Sequence, residues 1–235
     1  MKPFTLSYRN LSEALWTRVL ENSAPMLRAH GAEFFAQMGS LEELRRKAQN
    51  NTGSIPVATQ WMLFALAYFV APEIVAEVGT FIGKSAIAIA KGMDAAGVNG
   101  EVHSCDVSNH FDLPKLAKTP VTTYPGSGST QMFGEMVEDG YAGRVDVLHL
   151  DGRLMKEDLA LLPQLAAPRA VIVLDDFEGV EKGVMNLMAL RNTERFGRHL
   201  LVYPPERLLL ERFGLPDVST TALLVPGESL AFAPQ

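Results

Sequence analysis

The chain has 235 residues, a formal net charge of −6 and an apolar fraction of 47%. One α/β domain with a few extra helices absorbs that length, and that apolar content fills an ordinary core. A negative balance without any long Lys/Arg run excludes a nucleic-acid partner, and a single cysteine, Cys105, excludes an internal disulfide or a thiolate metal cluster.

Residues 1–70 read as a helical extension packed on the core that follows, 71–235. Leu11, Leu15 and Val19 fall on one stripe at four-residue spacing. Pro25 suits the first turn of a second helix, which runs to Met38. Ser40 with Glu43 three places on is a capping-box pattern opening a short helix, on which Arg45, Arg46 and Lys47 read as a solvated face. Ser54 is placed to cap a helix from Ile55 or Pro56. The uncharged apolar stretch 55–71 is short for a bilayer and is interrupted by Pro56, Thr59 and Gln60, so it is expected to be a buried helix. The first residues lack a secretion-signal pattern, and the expected location is the cytoplasm.

From Ile74 onward strands and helices alternate. Strands are predicted at 74–78, 101–106, 121–124, 145–150, 170–175, 199–203 and 220–225, with helices near 83–93, 129–139, 156–166 and 179–194. That alternation means a Rossmann-like, doubly wound parallel sheet covered on both faces. The last two strands are joined by a loop with Pro204, Pro205, Gly214 and Pro216 and only a brief apolar patch, Leu208 to Leu210. Cys105 lies in the second predicted strand as a small buried hydrophobe.

The turn after the first strand reads E-x-G-x-x-x-G-x-S, from Glu77 to Ser85. A dinucleotide loop needs three glycines so that backbone can approach a pyrophosphate. Here an acid leads the turn and the third glycine is missing. Such a loop suits a ligand with an ammonium group and no phosphate, as S-adenosylmethionine (SAM) presents. Gly79 and Gly83 allow the tight turn, and Glu77 ends the strand where a carboxylate could meet the ammonium directly or through water. Ser85 opens the next helix, whose free N–H groups can take a carboxylate. Asp106 ends the second strand, where an acid accepts ribose hydroxyls. Gly128, Ser129 and Gln131 open a later helix and could face an adenine edge. For the glycines the plain alternative is a βα turn with no ligand.

Three carboxylates then close two neighbouring strands, Asp151 after strand four and Asp175 with Asp176 after strand five. Acids following apolar runs stand at the top edge of the sheet beside the cofactor loop, so Asp151 counts with the donor site too. Together the three describe a Mg²⁺ site, or one for another divalent cation, which would acidify a bound hydroxyl and hold it in line with a methyl donor. Singly, each aspartate could instead cap its own turn.

On these motifs, in element order from Asn51 to Val225, the chain resembles class I SAM-dependent methyltransferases, and among them small-molecule O-methyltransferases related to catechol O-methyltransferase and a bacterial natural-product branch. The resemblance implies a seven-stranded sheet with an antiparallel last strand. It implies a SAM site lined by Glu77, Gly79, Ser85, Asp106, Ser129 and Gln131, with Asp151, Asp175 and Asp176 on Mg²⁺ and Asn51–Ile55 closing over the substrates. Two positions depart from the catechol pattern. Leu154 stands where that family carries its lysine base, and Asp176 stands where an asparagine is usual. Proton removal then falls to Lys156, His149 or metal-bound hydroxide, and His149 also reads as a core histidine.

The expected reaction is methyl transfer from SAM to a small-molecule hydroxyl. Its rivals are a metal-independent methyltransferase for a sugar, amine or carboxylate, a SAM-binding protein without turnover, and a nicotinamide reductase, which the missing glycine disfavours. Acceptor choice is expected from the helices before Gln49, the loop Ser108–Pro120 with His110 and Phe111, the turn Phe177-Glu178 and the segment Pro204–Pro216. Phe4, Trp16, Phe34, Phe35 and Trp61 read more as core than as an acceptor wall. The apolar N-terminal helices make a homodimer plausible.

Overall fold

A computed structural model describes residues 8–48, 53–108, 112–215 and 217–227. Phe4, Asn51, Thr52, His110, Phe111 and Pro216 lie outside the described residues. In chain order the elements are α1 (Tyr8–Ser40), α2 (Glu42–Arg45), α3 (Val57–Val70), β1 (Ile74–Val78), α4 (Lys84–Ala96), β2 (Glu101–Asp106), β3 (Val121–Pro125), α5 (Ser129–Glu138), β4 (Val145–Leu150), α6 (Asp158–Leu165), β5 (Ala166–Leu174), α7 (Lys182–Arg191), β6 (Leu200–Val202), α8 (Arg207–Arg212) and β7 (Ala222–Val225).

The seven strands form one sheet in the order β3-β2-β1-β4-β5-β7-β6. β1 to β5 run parallel, and β7 is antiparallel to both its neighbours. Alternation along the strands splits the core in two. Val75, Val102, Val147, Val173 and Leu223 face α1, α3 and α4, while Ile74, Ala76, Leu148, Ile172 and Leu224 face α5, α6 and α7. From β1 the chain moves outward through β2 to β3, then returns to place β4 on the other side of β1. That reversal opens a crevice at the carboxyl ends of β1 and β4, where open α/β sheets bind ligands.

The N-terminal helices depart from the sequence reading at three points. α1 is one helix of 33 residues with Pro25 inside it, not two. Proline removes one hydrogen bond to the preceding turn, and that turn carries the exposed Glu21, on the side open to water. The buried residues Trp16, Val19, Leu20, Phe34 and Met38 then hold both halves on the core. The Ser40 hydroxyl donates back to the Gln37 carbonyl, and α2 begins without a side-chain cap. Ser54 does not cap α3 either. The first N–H of that helix, on Val57, donates to Asp217 across the fold. The expected buried helix is α3 itself, apolar around its whole circumference. No helix among the described residues is long and apolar enough to cross a membrane.

The segment read as a loop between the last two strands contains α8, seated by Leu209 and Leu210. Its apolar patch is too short to show a period, but both leucines reach the same core. β5 starts at Ala166, four residues before the predicted strand, because it pairs with Val145 ahead of an irregularity in the register.

Trp61 ties the extension to the core. It is buried, stacks on Phe64 with ring centres 4.5 Å apart, meets Phe34 edge-on, and donates its indole N–H to Ser23 on α1. Trp61→Ala should lower stability by about 3–5 kcal/mol, read as a fall in the denaturant midpoint. An unchanged midpoint would mean that α1 contributes little to the fold.

Candidate active site

The loop after β1 is pressed onto its neighbours. The N–H groups of Gly79 and Thr80 both donate to the Cys105 carbonyl, at 2.9 and 3.1 Å. Gly79 has φ +106°, and a Cβ there would lie 3.1 Å from the Asp151 backbone. Glycine alone combines that angle with that approach. The loop after β1 and the end of β4 are therefore in contact. Asp106 faces the same loop, accepting the Phe81 N–H at 2.7 Å and the Ser108 N–H and hydroxyl at 2.7 and 2.8 Å. Gly83, at φ +79°, leads into α4, and Ser85 is buried in its first turn.

α2 lies against this loop. Buried Lys84 forms an ion pair with Glu42, and the Arg45 guanidinium stands 5.5 Å from the Phe81 ring centre. Burial would push the Glu42 carboxyl up, but the hydrogen bonds and charges of Lys84 and Arg45 hold it below its usual value. Of the basic cluster read as a solvated face, Arg46 is strongly exposed, whereas Arg45 is engaged with the loop and with Glu42.

Glu77 points into the sheet. It is fully buried, accepts the Ser104 hydroxyl from β2, and accepts His149 Nδ1 from β4 at 2.8 Å. Both partners are its register neighbours. Thr80 donates to Ser104 in turn, at 2.5 Å. Burial would lower the His149 pKa, but the hydrogen bond and charge of Glu77, with the charges of Asp175 and Asp151, raise it above the usual value. His149 is thus a core histidine with no exposed surface. Lys156 stands on the exposed turn before α6.

Gly128 precedes α5 as its cap residue. The Ser129 and Thr130 hydroxyls both donate to buried Asp158, each at 2.6 Å, and the Gln131 amide donates to Glu135 on the exposed face of α5. This group braces α5 against α6.

The three aspartates of the expected cation site do converge. Their carboxylate oxygens lie within 4.8 Å of one another. Asp175 is buried and accepts the Thr221 hydroxyl at 2.8 Å, and Asp176 holds φ +50°. Asn186 fixes the chain between Asp151 and Leu154, donating to the Gly152 carbonyl and accepting the Leu154 N–H. Burial and the charge of Asp175 push the Asp151 carboxyl up to about 7, against the pull of Lys182 and His149.

Lys182, which sequence reasoning missed, sits within the cluster. Its ammonium donates to the Asp151 carboxylate at 2.6 Å and the Asp151 carbonyl at 2.8 Å, and forms an ion pair with the Asp176 carboxylate at 2.8 Å. These charges hold the lysine pKa above its usual value although burial opposes them. Its position three residues past Gly179, at the start of a helix, gave no signal of that contact. Thr221, Asn186 and Asp158 were missed for the same reason: each acts across a large sequence separation.

Residues 76–177, from β1 through the acids after β5, match a family described as a methyltransferase domain. Solved structures extend the likeness to most of the chain. An O-methyltransferase from Bacillus cereus in complex with S-adenosylhomocysteine (SAH) superposes with a TM-score of 0.58 at 14% identity, covering 90% of this chain and 98% of that one. The O-methyltransferase TomG from Streptomyces achromogenes, involved in tomaymycin synthesis and solved with SAM, gives 0.52 at 16%, covering 81% and 89%. A methyltransferase from Geobacter sulfurreducens gives 0.54 at 15%, covering 80% and 86%. No curated protein matches the sequence. At these identities the structures establish a common fold.

A cavity of about 560 Å³ lies at the opposite edge of the sheet, lined by Glu73, Asp146 and Arg169 among others, and touches neither the loop after β1 nor the three aspartates. If Glu77 serves the sheet, Glu77→Ala leaves His149 and Ser104 without their acceptor and should cost about 3–5 kcal/mol in a denaturant titration. A variant as stable as wild type would reserve that carboxylate for a ligand.

Proposed function

We propose that the protein is a SAM-dependent O-methyltransferase acting on a hydroxyl of a small molecule. The observation that carries this reading is the contact between the glycine loop and the acid cluster at Gly79 and Asp151, which brings a donor site and a polar reaction edge side by side. The methyltransferase domain and the O-methyltransferases of like fold support it.

SAM, when bound, supplies a methyl group on a cationic sulfur that an oxygen can attack in line. In this reading Gly79 to Ser85 frame the donor and Asp106 accepts its ribose hydroxyls. Asp151 takes the acceptor's proton. Asp151 stands where loop and cluster meet, whereas His149 is enclosed and Lys156 lies on an exposed turn. An oxygen that becomes anionic as it attacks a sulfonium loses charge in the transition state, so holding both in a dry crevice favours the reaction by orientation. The donor set of Asp151, Asp175 and Asp176 has the chemistry of a Mg²⁺ site, but Lys182 already occupies two of its three carboxylates. With that lysine in place the cluster does not fit a divalent ion, and no step here is routed through one.

Apolar side chains stand exposed at this edge, among them Val107 after β2, Met155 after β4, Val180 after β5 and Val218 before β7. They favour an acceptor with an apolar body, such as a phenol, over a bare sugar.

The test is calorimetry with SAH followed by turnover with SAM across phenols, sugars, amines and carboxylic acids. Asp106→Ala should weaken SAH binding about tenfold or more. Asp151→Asn should lower turnover at saturating SAM by about a hundredfold or more. Absence of any affinity for SAM or SAH would overturn the proposal, and methylation confined to amines or carboxylates would overturn the hydroxyl acceptor.

A further inference from the structure

We propose that the Lys182 ammonium is the resident cation of the Asp151–Asp175–Asp176 cluster, standing in the place of a divalent ion and making the site metal-free. Lys182 donates to the carboxylate and the carbonyl of Asp151, at 2.6 and 2.8 Å, and its ammonium pairs with the Asp176 carboxylate at 2.8 Å. It thus contacts three oxygens on two aspartates rather than making a passing surface pair.

The backbone brings the lysine there. A Cβ on Gly183 would lie 2.4 Å from the Asp175 carbonyl oxygen and 3.0 Å from the Phe177 nitrogen. The first turn of α7 is thus pressed against the chain that carries Asp175 and Asp176, and the residue beside Gly183 has its side chain delivered to the acids. Asp176, at φ +50°, turns back toward the same point.

Three carboxylates this close need a positive partner. A divalent ion on the same oxygens would stand at contact distance from a like charge. It could enter only if the lysine left, giving up two charge-assisted hydrogen bonds to Asp151 and the ion pair with Asp176. Lys182 is accordingly a positioning residue that fixes the carboxylate of Asp151 at the donor loop. The inference deepens the methyl-transfer reading, but its readout is metal occupancy, so the two can fail separately.

The test is a Mn²⁺ titration of the full chain, followed by electron paramagnetic resonance of the free ion, for wild type and Lys182→Met. Wild type should leave millimolar Mn²⁺ free and, where it turns over, keep its activity in excess EDTA. Lys182→Met should bind Mn²⁺ about a hundredfold more tightly than wild type, and adding Asp176→Asn should abolish that gain. The proposal is overturned if wild type binds Mn²⁺ in a manner that Asp176→Asn removes. It is equally overturned if EDTA stops turnover and Mn²⁺ restores it, or if folded Lys182→Met gains no affinity. The wild-type measurements decide the matter even if Lys182→Met does not fold, and SAH binding is followed separately.

Discussion

A carboxylate with no exposed surface, in the middle of a sheet, needs its partners built around it. Glu77 meets that requirement with Ser104 on one neighbouring strand and His149 on the other. The three central strands are locked in register by this pair of contacts as well as by backbone bonds. The same parity that sends Val75, Val147 and Val173 to the α3 face sends Glu77, His149 and Asp175 there, two positions further along. A polar layer therefore forms just below the reaction edge. It continues from Asp175 through Thr221 and Ser219 to Thr59 on α3. An apolar helix can cover that layer because it contributes one hydroxyl at the point where the layer ends.

The chemistry depends on how firmly this layer carries the edge above it. Gly79 rests on the Asp151 backbone, Asn186 pins the next residues, and α2 closes the far side of the loop through Lys84 and Arg45. Orientation accounts for most of the rate in a methyl transfer that neutralises charge. A crevice braced on three sides suits that demand, and a cation anchored by covalent attachment needs no supply from solution.

Much of this was legible in the sequence, and the limit lies at side-chain direction. Strand-then-acid patterns at Glu77, Asp106, Asp151 and Asp175 marked the carboxyl edge because apolar runs must end where the sheet does. They could not tell which acids turn outward. Glu77 was read as meeting an ammonium directly or through water, and the partners it has in the structure are Ser104 and His149. Ser129 and Gln131 lie at the predicted helix start, yet their partners are Asp158 and Glu135. The need for a positive charge among three aspartates was legible as electrostatics. Its supplier was not, because Lys182 reaches Asp151 across 31 residues and no local spacing records that. Pro25 and the cap at Ser54 failed for a related reason, since tertiary contacts, Asp217 among them, replaced the local signals, whereas the Ser40 hydroxyl turned back to the Gln37 carbonyl of its own helix.

Cys105 gives the fold a further property. Its carbonyl receives the donor loop, while its thiol is buried and pushed up to about 12 by burial and by the charges of Glu77, Asp106 and Asp158. Alkylation requires the thiolate as nucleophile, displacing the reagent's leaving group, so this lone sulfhydryl stays silent until the seam between β1 and β2 parts. Its rate of labelling is an internal clock for that parting.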